Sequence, residues 1–255
     1  MNILVTGATG YIGKEFIRIY GNSYNIVALL REESCLSELQ VLKCTIIKFK
    51  EFSEISNLLD KYNIDGILHF ASNVIVEHSL EQIDSLIDSN IKFGTYLLEA
   101  CKQNNIKWFI NTGTFWQNYE NEEYNPVNLY AATKEAFQNI SKYYTETSNL
   151  IFVTIKLNDT FGPNDTRSKI FNLWEKYSEL DEILDMSEGE QVIDISYIED
   201  VLSAFEIMIK NLQIGLKESL INKCFVVSSN QKIKLKDLAI LFKKITKKKL
   251  KINWG

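Results

Sequence analysis

Thr6-Gly7-Ala8-Thr9-Gly10-Tyr11-Ile12-Gly13 is the stretch that decides the fold. It follows the short apolar run Ile3-Leu4-Val5 and leads into Tyr11–Tyr20, which reads as a helix, so the glycines fall on a strand-to-helix turn. Glycines three apart let the backbone turn sharply, approach a pyrophosphate closely and pack the helix against the sheet. The open N–H groups and positive end of that helix then face the phosphates. A glycine triplet alone is a weak signal. Its position at the first strand-to-helix turn makes it a dinucleotide site.

The alternation continues outward from this turn. Strands are expected at Asn25–Leu30, Thr45–Phe49, Gly66–His69, Trp108–Asn111, Ile151–Lys156 and Cys224–Val227. Helices are expected at Glu54–Lys61, Leu80–Gln103, Leu129–Thr147, Tyr197–Leu212 and Leu235–Ile245. Strands separated by helices imply crossover connections and a parallel sheet covered on both faces. The expected class is therefore α/β, a doubly wound parallel sheet of Rossmann type. Regularity breaks after residue 158, where the turn clusters Gly162-Pro163-Asn164-Asp165 and Ser187-Glu188-Gly189-Glu190 flank a helix candidate. Residues 1–158 are assigned to the dinucleotide domain, with 191–228 returning to it; 159–190 and 229–255 form a small discontinuous C-terminal substrate lobe.

Bulk properties exclude several function classes. The 255 residues are 45% apolar and 24% charged, enough for a sizeable core. A net charge of -5 argues against a nucleic-acid partner, and the basic run at Lys247-Lys248-Lys249 reads as a solvated helix end. No apolar run approaches the roughly 18 residues of a membrane span, and no signal peptide is evident. Cys35, Cys44, Cys101 and Cys224 lack metal-site spacing and read as free thiols, so a cytoplasmic enzyme is expected. His69 and His78 belong to no HExxH or Cys/His cluster, so no metal site is expected.

Cofactor choice is set at the end of the second strand. A carboxylate there binds the ribose hydroxyls of NAD, whereas arginine accommodates the 2′-phosphate of NADP. Here Val27-Ala28-Leu29-Leu30 ends in Arg31, which can pair bidentately with a phosphate. NADP(H) is the expected cofactor. At the start of a later helix, Tyr130 and Lys134 stand at i and i+4, on one face. The lysine cation is expected to favour the phenolate and draw the tyrosine towards a usable acid or base.

These features resemble the extended short-chain dehydrogenase/reductases, the NAD(P)-dependent nucleotide-sugar epimerase/dehydratase family, over nearly the whole chain. Leu68-His69-Phe70-Ala71 resembles that family's strand end beside the nicotinamide, Asn90 its helix asparagine, and Asn111-Thr112-Gly113-Thr114 its strand ending in the catalytic threonine. Asp159-Thr160-Phe161-Gly162-Pro163 resembles the segment that opens the sugar-nucleotide lobe, with Asp159 in place of the usual asparagine. Tyr197-Ile198-Glu199-Asp200-Val201 resembles its helix start. The resemblance implies that Thr114 hydrogen-bonds a sugar carbonyl, Tyr130 exchanges the proton and Lys134 supports Tyr130 and the nicotinamide ribose. It implies cofactor contacts from Gly7, Thr9, Gly10, Tyr11, Ile12, Gly13, Arg31, Phe70, Ala71, Ser72, Asn90 and Thr112. Substrate contacts fall to Asn73, Thr114, Trp116, Asp159, Arg167, Lys169 and Gln191.

Departures from the family pattern narrow the reaction. Family dehydratases carry Asp-Glu directly after the catalytic threonine, and here Phe115-Trp116 cannot exchange a proton. Family members that epimerise beside the ketone use a Cys/His pair, and His78 has no evident cysteine partner. Ile193 stands where relatives often place a diphosphate-binding arginine, so Arg167 and Lys169 are expected to supply that charge. The chain stops at Asn253-Trp254-Gly255, sooner than the resemblance leads one to expect. The expected activity is NADPH-dependent reduction of a CDP- or dTDP-linked 4-keto-6-deoxy sugar, hexose or heptose, in surface-polysaccharide biosynthesis. Two alternatives are an NAD-retaining nucleotide-sugar 4-epimerase and a non-catalytic NADP-binding sensor or scaffold. Leu80–Gln103 and Leu129–Thr147 resemble the helices of the family's dimer interface, so a homodimer is expected.

Overall fold

The computed structural model describes residues 1–214 and 217–255. The chain opens as β1 (Asn2–Thr6), α1 (Tyr11–Tyr20), β2 (Asn25–Arg31), β3 (Thr45–Phe49), α2 (Ile55–Lys61) and β4 (Gly66–His69). It continues through α3 (Ile83–Ile87), α4 (Phe93–Gln103), β5 (Trp108–Thr114), α5 (Leu129–Thr147), β6 (Ile151–Leu157), β7 (Asp159–Phe161) and α6 (Ile170–Leu180). The remainder is β8 (Ile183–Met186), β9 (Val192–Tyr197), α7 (Ile198–Gln213), α8 (Lys217–Leu220), β10 (Lys223–Val227), β11 (Lys232–Lys234), α9 (Leu235–Thr246) and β12 (Lys251–Trp254).

Seven strands form one sheet in the order β10-β6-β5-β4-β1-β2-β3, and every pairing from β3 across to β6 is parallel. The strand order reverses beside β1, which lies between β2 and β4. Ligands of open α/β sheets bind outside the carboxyl ends of the strands at such a switch point. The turn after β1 and the strand end after β4 both open there. The core on one face joins Leu4, Ile67, Phe109 and Phe152 of the sheet to Leu97, Phe137 and Tyr144 of α4 and α5. Phe109 stacks on Phe152 at 5.3 Å between ring centroids. Each such fully buried ring contributes about 1.5–3 kcal/mol.

Two compact units divide the chain, Met1–Leu157 with Leu202–Val226, and Asn158–Val201 with Val227–Gly255. The first therefore resumes at Leu202, later than the expected return at 191. The cause is β9, which pairs in parallel with β7 and antiparallel with β11 rather than joining the large sheet. Its Ile193 and Ile195 pack with Leu235 and Leu238 of α9 around the fully buried Trp174.

The expected helix over Leu80–Gln103 is continuous but not uniform. A 3-10 turn covers Leu80–Gln82, and a π-helical turn covers Asp88–Lys92 between α3 and α4. Such π-turns recur at functional sites, and this one carries the fully buried Asn90. One inserted residue does not disturb an i, i+3, i+4 apolar pattern enough to be read from it. No described helix is long and apolar enough to cross a membrane.

Candidate active site

Gly7 has φ of +67°, and a Cβ there would lie 2.5 Å from the Ala71 backbone nitrogen. A Cβ at Gly13 would lie 2.3 Å from the Gly7 carbonyl oxygen. Only glycine allows β1, α1 and the end of β4 to approach this closely. Gly10 donates to the Gly7 carbonyl at 2.9 Å and closes the turn. Tyr11 and Ile12 are the first two residues of α1, at its donor-rich open end.

Gly7, Thr9, Gly10, Arg31, Phe70, Ala71 and Ser72 line one cleft of about 270 Å³. Ser34 and Ser89, which carry no sequence signal of their own, line it too. The Arg31 guanidinium donates to the Ser89 hydroxyl at 3.1 Å. No aspartate or glutamate is among the lining residues, although Glu32 and Glu33 follow directly in sequence. The cleft thus offers one cation and the hydroxyls of Thr9, Ser34, Ser72 and Ser89, but no carboxylate, to a ligand.

Asn90 organises the inner wall. Its Oδ1 accepts from the Asn73 amide at 2.8 Å and the Ser72 hydroxyl at 3.1 Å. Its Nδ2 donates to the Asn73 carbonyl at 2.9 Å and to the Thr133 hydroxyl at 3.0 Å. Thr133 in turn donates to the Tyr130 carbonyl at 2.7 Å. Asn90 therefore ties the cleft wall to the first turn of α5. The Asn73 side chain donates to Ser85 at 3.1 Å. His69 lies beneath, fully buried, with Nδ1 against the Thr6 hydroxyl at 2.8 Å. Burial holds its pKa well below the usual histidine range, with the Lys134 charge acting the same way.

The helix bearing Tyr130 and Lys134 begins where Asn128 caps it, accepting from the Ala131 amide at 2.9 Å. Such a cap stabilises a helix start by about 1 kcal/mol and here fixes Tyr130 in the first turn. Tyr130 is 8% exposed, with the Trp116 ring edge-on at 6.3 Å. Burial pushes the phenol pKa up, and the Ser72 hydroxyl opposes this. The expectation that Lys134 draws the phenol down is thus corrected, because loss of hydration is the larger influence on it. Lys134 is 1% exposed and pairs with no carboxylate among the described residues; burial lowers its pKa to about 8. The Thr114 hydroxyl accepts from the Trp116 amide at 3.3 Å, which leaves its own proton free for a carbonyl oxygen.

Three observations test whether these residues fit a nicotinamide dinucleotide. The glycine cradle excludes any Cβ, and among the described residues the buried Thr112 hydroxyl has no partner and the buried Lys134 ammonium no counter-ion. All three suit such a ligand. No group of three His, Cys, Asp or Glu side chains is placed to hold a metal ion among the described residues.

In the second unit, Asp159, Lys169 and Gln191 line a mainly apolar pocket of about 190 Å³ with Phe161, Phe171 and Ile193. Lys169 pairs with Asp159 at 3.1 Å. Arg167 is not among the residues lining this pocket. Its Nε and Nη2 donate to Asp165 at 2.8 and 2.7 Å, and Nη2 also donates to the Thr160 carbonyl at 3.0 Å. It thereby braces the turn after β7.

A parallel doubly wound sheet with a glycine-rich first turn and a Tyr–Lys pair on α5 defines an extended short-chain dehydrogenase/reductase. The chain belongs to the NAD dependent epimerase/dehydratase family, whose sequence model matches residues 3–222. It is similar to CDP-abequose synthase of Salmonella muenchen, with 29% identity over 256 aligned residues, 99% of this chain and 83% of that protein. It is also similar to dTDP-D-glucose 4,6-dehydratase of Dictyostelium discoideum, 27% identical and covering 84% of this chain and 56% of that one. Among solved structures, UDP-glucuronic acid 4-epimerase from Bacillus cereus, in complex with UDP-glucuronic acid and NAD, superimposes with a TM-score of 0.85. That match has 22% identity and covers all of this chain and 86% of the other, so it speaks to the fold.

Proposed function

We propose that this protein is an NADPH-dependent reductase of the 4-keto group of a nucleoside-diphosphate 4-keto-6-deoxy sugar, hexose or heptose. The observation that carries the reading is the Arg31 cleft, cationic and without a carboxylate. Arg31, Ser34 and Ser89 there suit a 2′-phosphate. Phe115 and Trp116 supply no acid or base for dehydration. Similarity to CDP-abequose synthase along 99% of the chain supports a CDP-linked sugar ahead of a dTDP-linked one.

Arg31 and the glycine turn over residues 7–13 would hold NADPH in the cleft, where it would supply the hydride for the carbonyl carbon. Thr114 donates its free hydroxyl proton as a hydrogen bond to the carbonyl oxygen and fixes its orientation. Tyr130, kept protonated by its burial, delivers a proton to that oxygen as negative charge develops. Lys134 would hold the nicotinamide ribose, and its ammonium would stabilise the phenolate left behind. Lys169 offers a cation to the diphosphate, beside Asp159 and Gln191. The half-buried Trp116 closes over Tyr130 and limits water there.

Arg31→Ala is expected to raise the KM for NADPH about 10- to 100-fold, the loss of a charge-assisted hydrogen bond, with little change for NADH. Initial rates with both cofactors measure it, and equal effects would remove the phosphate contact. The competing 4-epimerase reading requires a retained cofactor, so NAD that stays bound through gel filtration would favour it. We further propose a cytoplasmic homodimer joined through α4 and α5, where Tyr96 and Tyr143 stand 41% and 57% exposed.

A further inference from the structure

Behind Thr114 lies a polar cluster none of whose residues lines the cofactor cleft. Lys156 on β6 and Glu135 on α5 have side chains only 7% and 15% exposed, with Nζ and Oε2 3.6 Å apart. Lys156 donates to the Asn118 side chain at 2.7 Å. Beside Glu135 sits Gln117, fully buried. Its Oε1 accepts from the Thr114 backbone N–H at 2.8 Å, and its Nε2 donates to Glu135 at 2.5 Å. A buried ion pair is a poor source of stability, since a well-packed apolar pair is often as stable or more so. Here the pair joins three segments that must meet at the reacting carbonyl.

The first segment is the end of β5, held through the Thr114 amide. The second is the loop from Phe115 to Asn128, which carries Trp116. Asn118 donates to the carbonyls of Glu122 and Glu123 at 3.0 and 2.7 Å. Val127 donates to the Trp116 carbonyl at 3.0 Å, closing that loop just before the cap of α5. The third is α5 itself, since Glu135 directly follows Lys134 in sequence.

We infer that Lys156 and Glu135, acting through Gln117, are positioning residues that hold the Thr114 end of β5 in register with the helix bearing Tyr130 and Lys134. Neither lines the cofactor cleft. Without the pair, Gln117 keeps only its longer contact with Gln138 on α5, at 3.4 Å. Thr114 and Trp116 are then held less firmly against α5, and the carbonyl loses its fixed orientation between Thr114 and Tyr130. The consequence for turnover rests on the proposed reduction; the structural linkage stands independently of it.

The experiment compares the full-length protein with Lys156→Met and with the double variant Glu135→Leu/Lys156→Met. It measures Tm, NADPH affinity, hydrogen exchange in the peptide over residues 112–118, and turnover of CDP- and dTDP-linked 4-keto-6-deoxy sugars. Lys156→Met is expected to exchange at least about tenfold faster over that peptide and to lose at least about tenfold in kcat, with NADPH affinity within about twofold. The double variant removes the stranded charge and is expected to recover Tm while exchange and kcat stay impaired. If Lys156→Met does not fold, the double variant decides. Recovery of Tm, exchange and kcat together, or a stable Lys156→Met with wild-type exchange, would overturn the inference. Absence of turnover in the wild type counts against the proposed function alone, since the exchange result still decides the linkage.

Discussion

Tyr130→Phe is expected to lower kcat about 10²- to 10⁴-fold, the usual contribution of a positioned acid, and to leave NADPH affinity unchanged. The phenyl ring keeps the apolar contact with Trp116, and the cap at Asn128 still sets the helix start. Only the proton donor goes. Ser72, whose hydroxyl acts on the phenol, donates to Asn90 and is an aliphatic alcohol, a far weaker acid than a phenol. Fluorescence titration with NADPH and steady-state turnover separate binding from chemistry. Turnover near that of the wild type would remove Tyr130 from the mechanism.

The second large effect concerns stability. Burial lowers the Lys134 pKa from 10.5 to about 8, so the folded ligand-free protein disfavours the charged ammonium that the unfolded chain accepts readily. Where the unfolded state binds more protons, stability rises with pH. The penalty is complete below about pH 8, fades between about 8 and 10.5, and is absent above. It amounts to about 3 kcal/mol. Lys134→Met keeps a similar length without the charge, so it is expected to be more stable than the wild type at pH 7. A gain of this size raises Tm by about 6–12 °C. The advantage should shrink as pH rises from about 8 towards 10.5. Thermal melts of both proteins across that range measure it, and a difference constant with pH would contradict the account. The same variant should lose turnover, which would mark Lys134 as a residue kept for function at a cost in stability.

The parts of the fold written in local pattern were legible. The glycine spacing at Gly7, Gly10 and Gly13 placed the switch-point turn, and the apolar periods placed the strands and helices of the large sheet. Tyr130 and Lys134 were legible because four residues on a helix define a shared face. What escaped depended on partners distant in sequence. Val192–Tyr197 falls within the stretch expected to return to the dinucleotide domain, and only its pairing with β7 and β11 assigns it to the other unit. Arg167 reads as a free cation until the turn folds Asp165 against it. Gln117, Glu135 and Lys156 carry no motif, since 18 and 21 residues separate them and only β5, β6 and α5 bring them together. The direction of the Tyr130 shift also needed the fold, because a sequence shows the neighbouring lysine but not the lost hydration.

The central claim is one-way hydride delivery to a sugar carbonyl. The most direct measurement incubates the protein with NADPH deuterated at the transferable position and a CDP-linked 4-keto-6-deoxy sugar, then analyses product and cofactor by mass spectrometry. The account predicts one deuterium at C4 of the product and one NADPH consumed per sugar reduced. Interconversion of 4-hydroxy epimers with no net loss of NADPH and no deuterium in the sugar would contradict it.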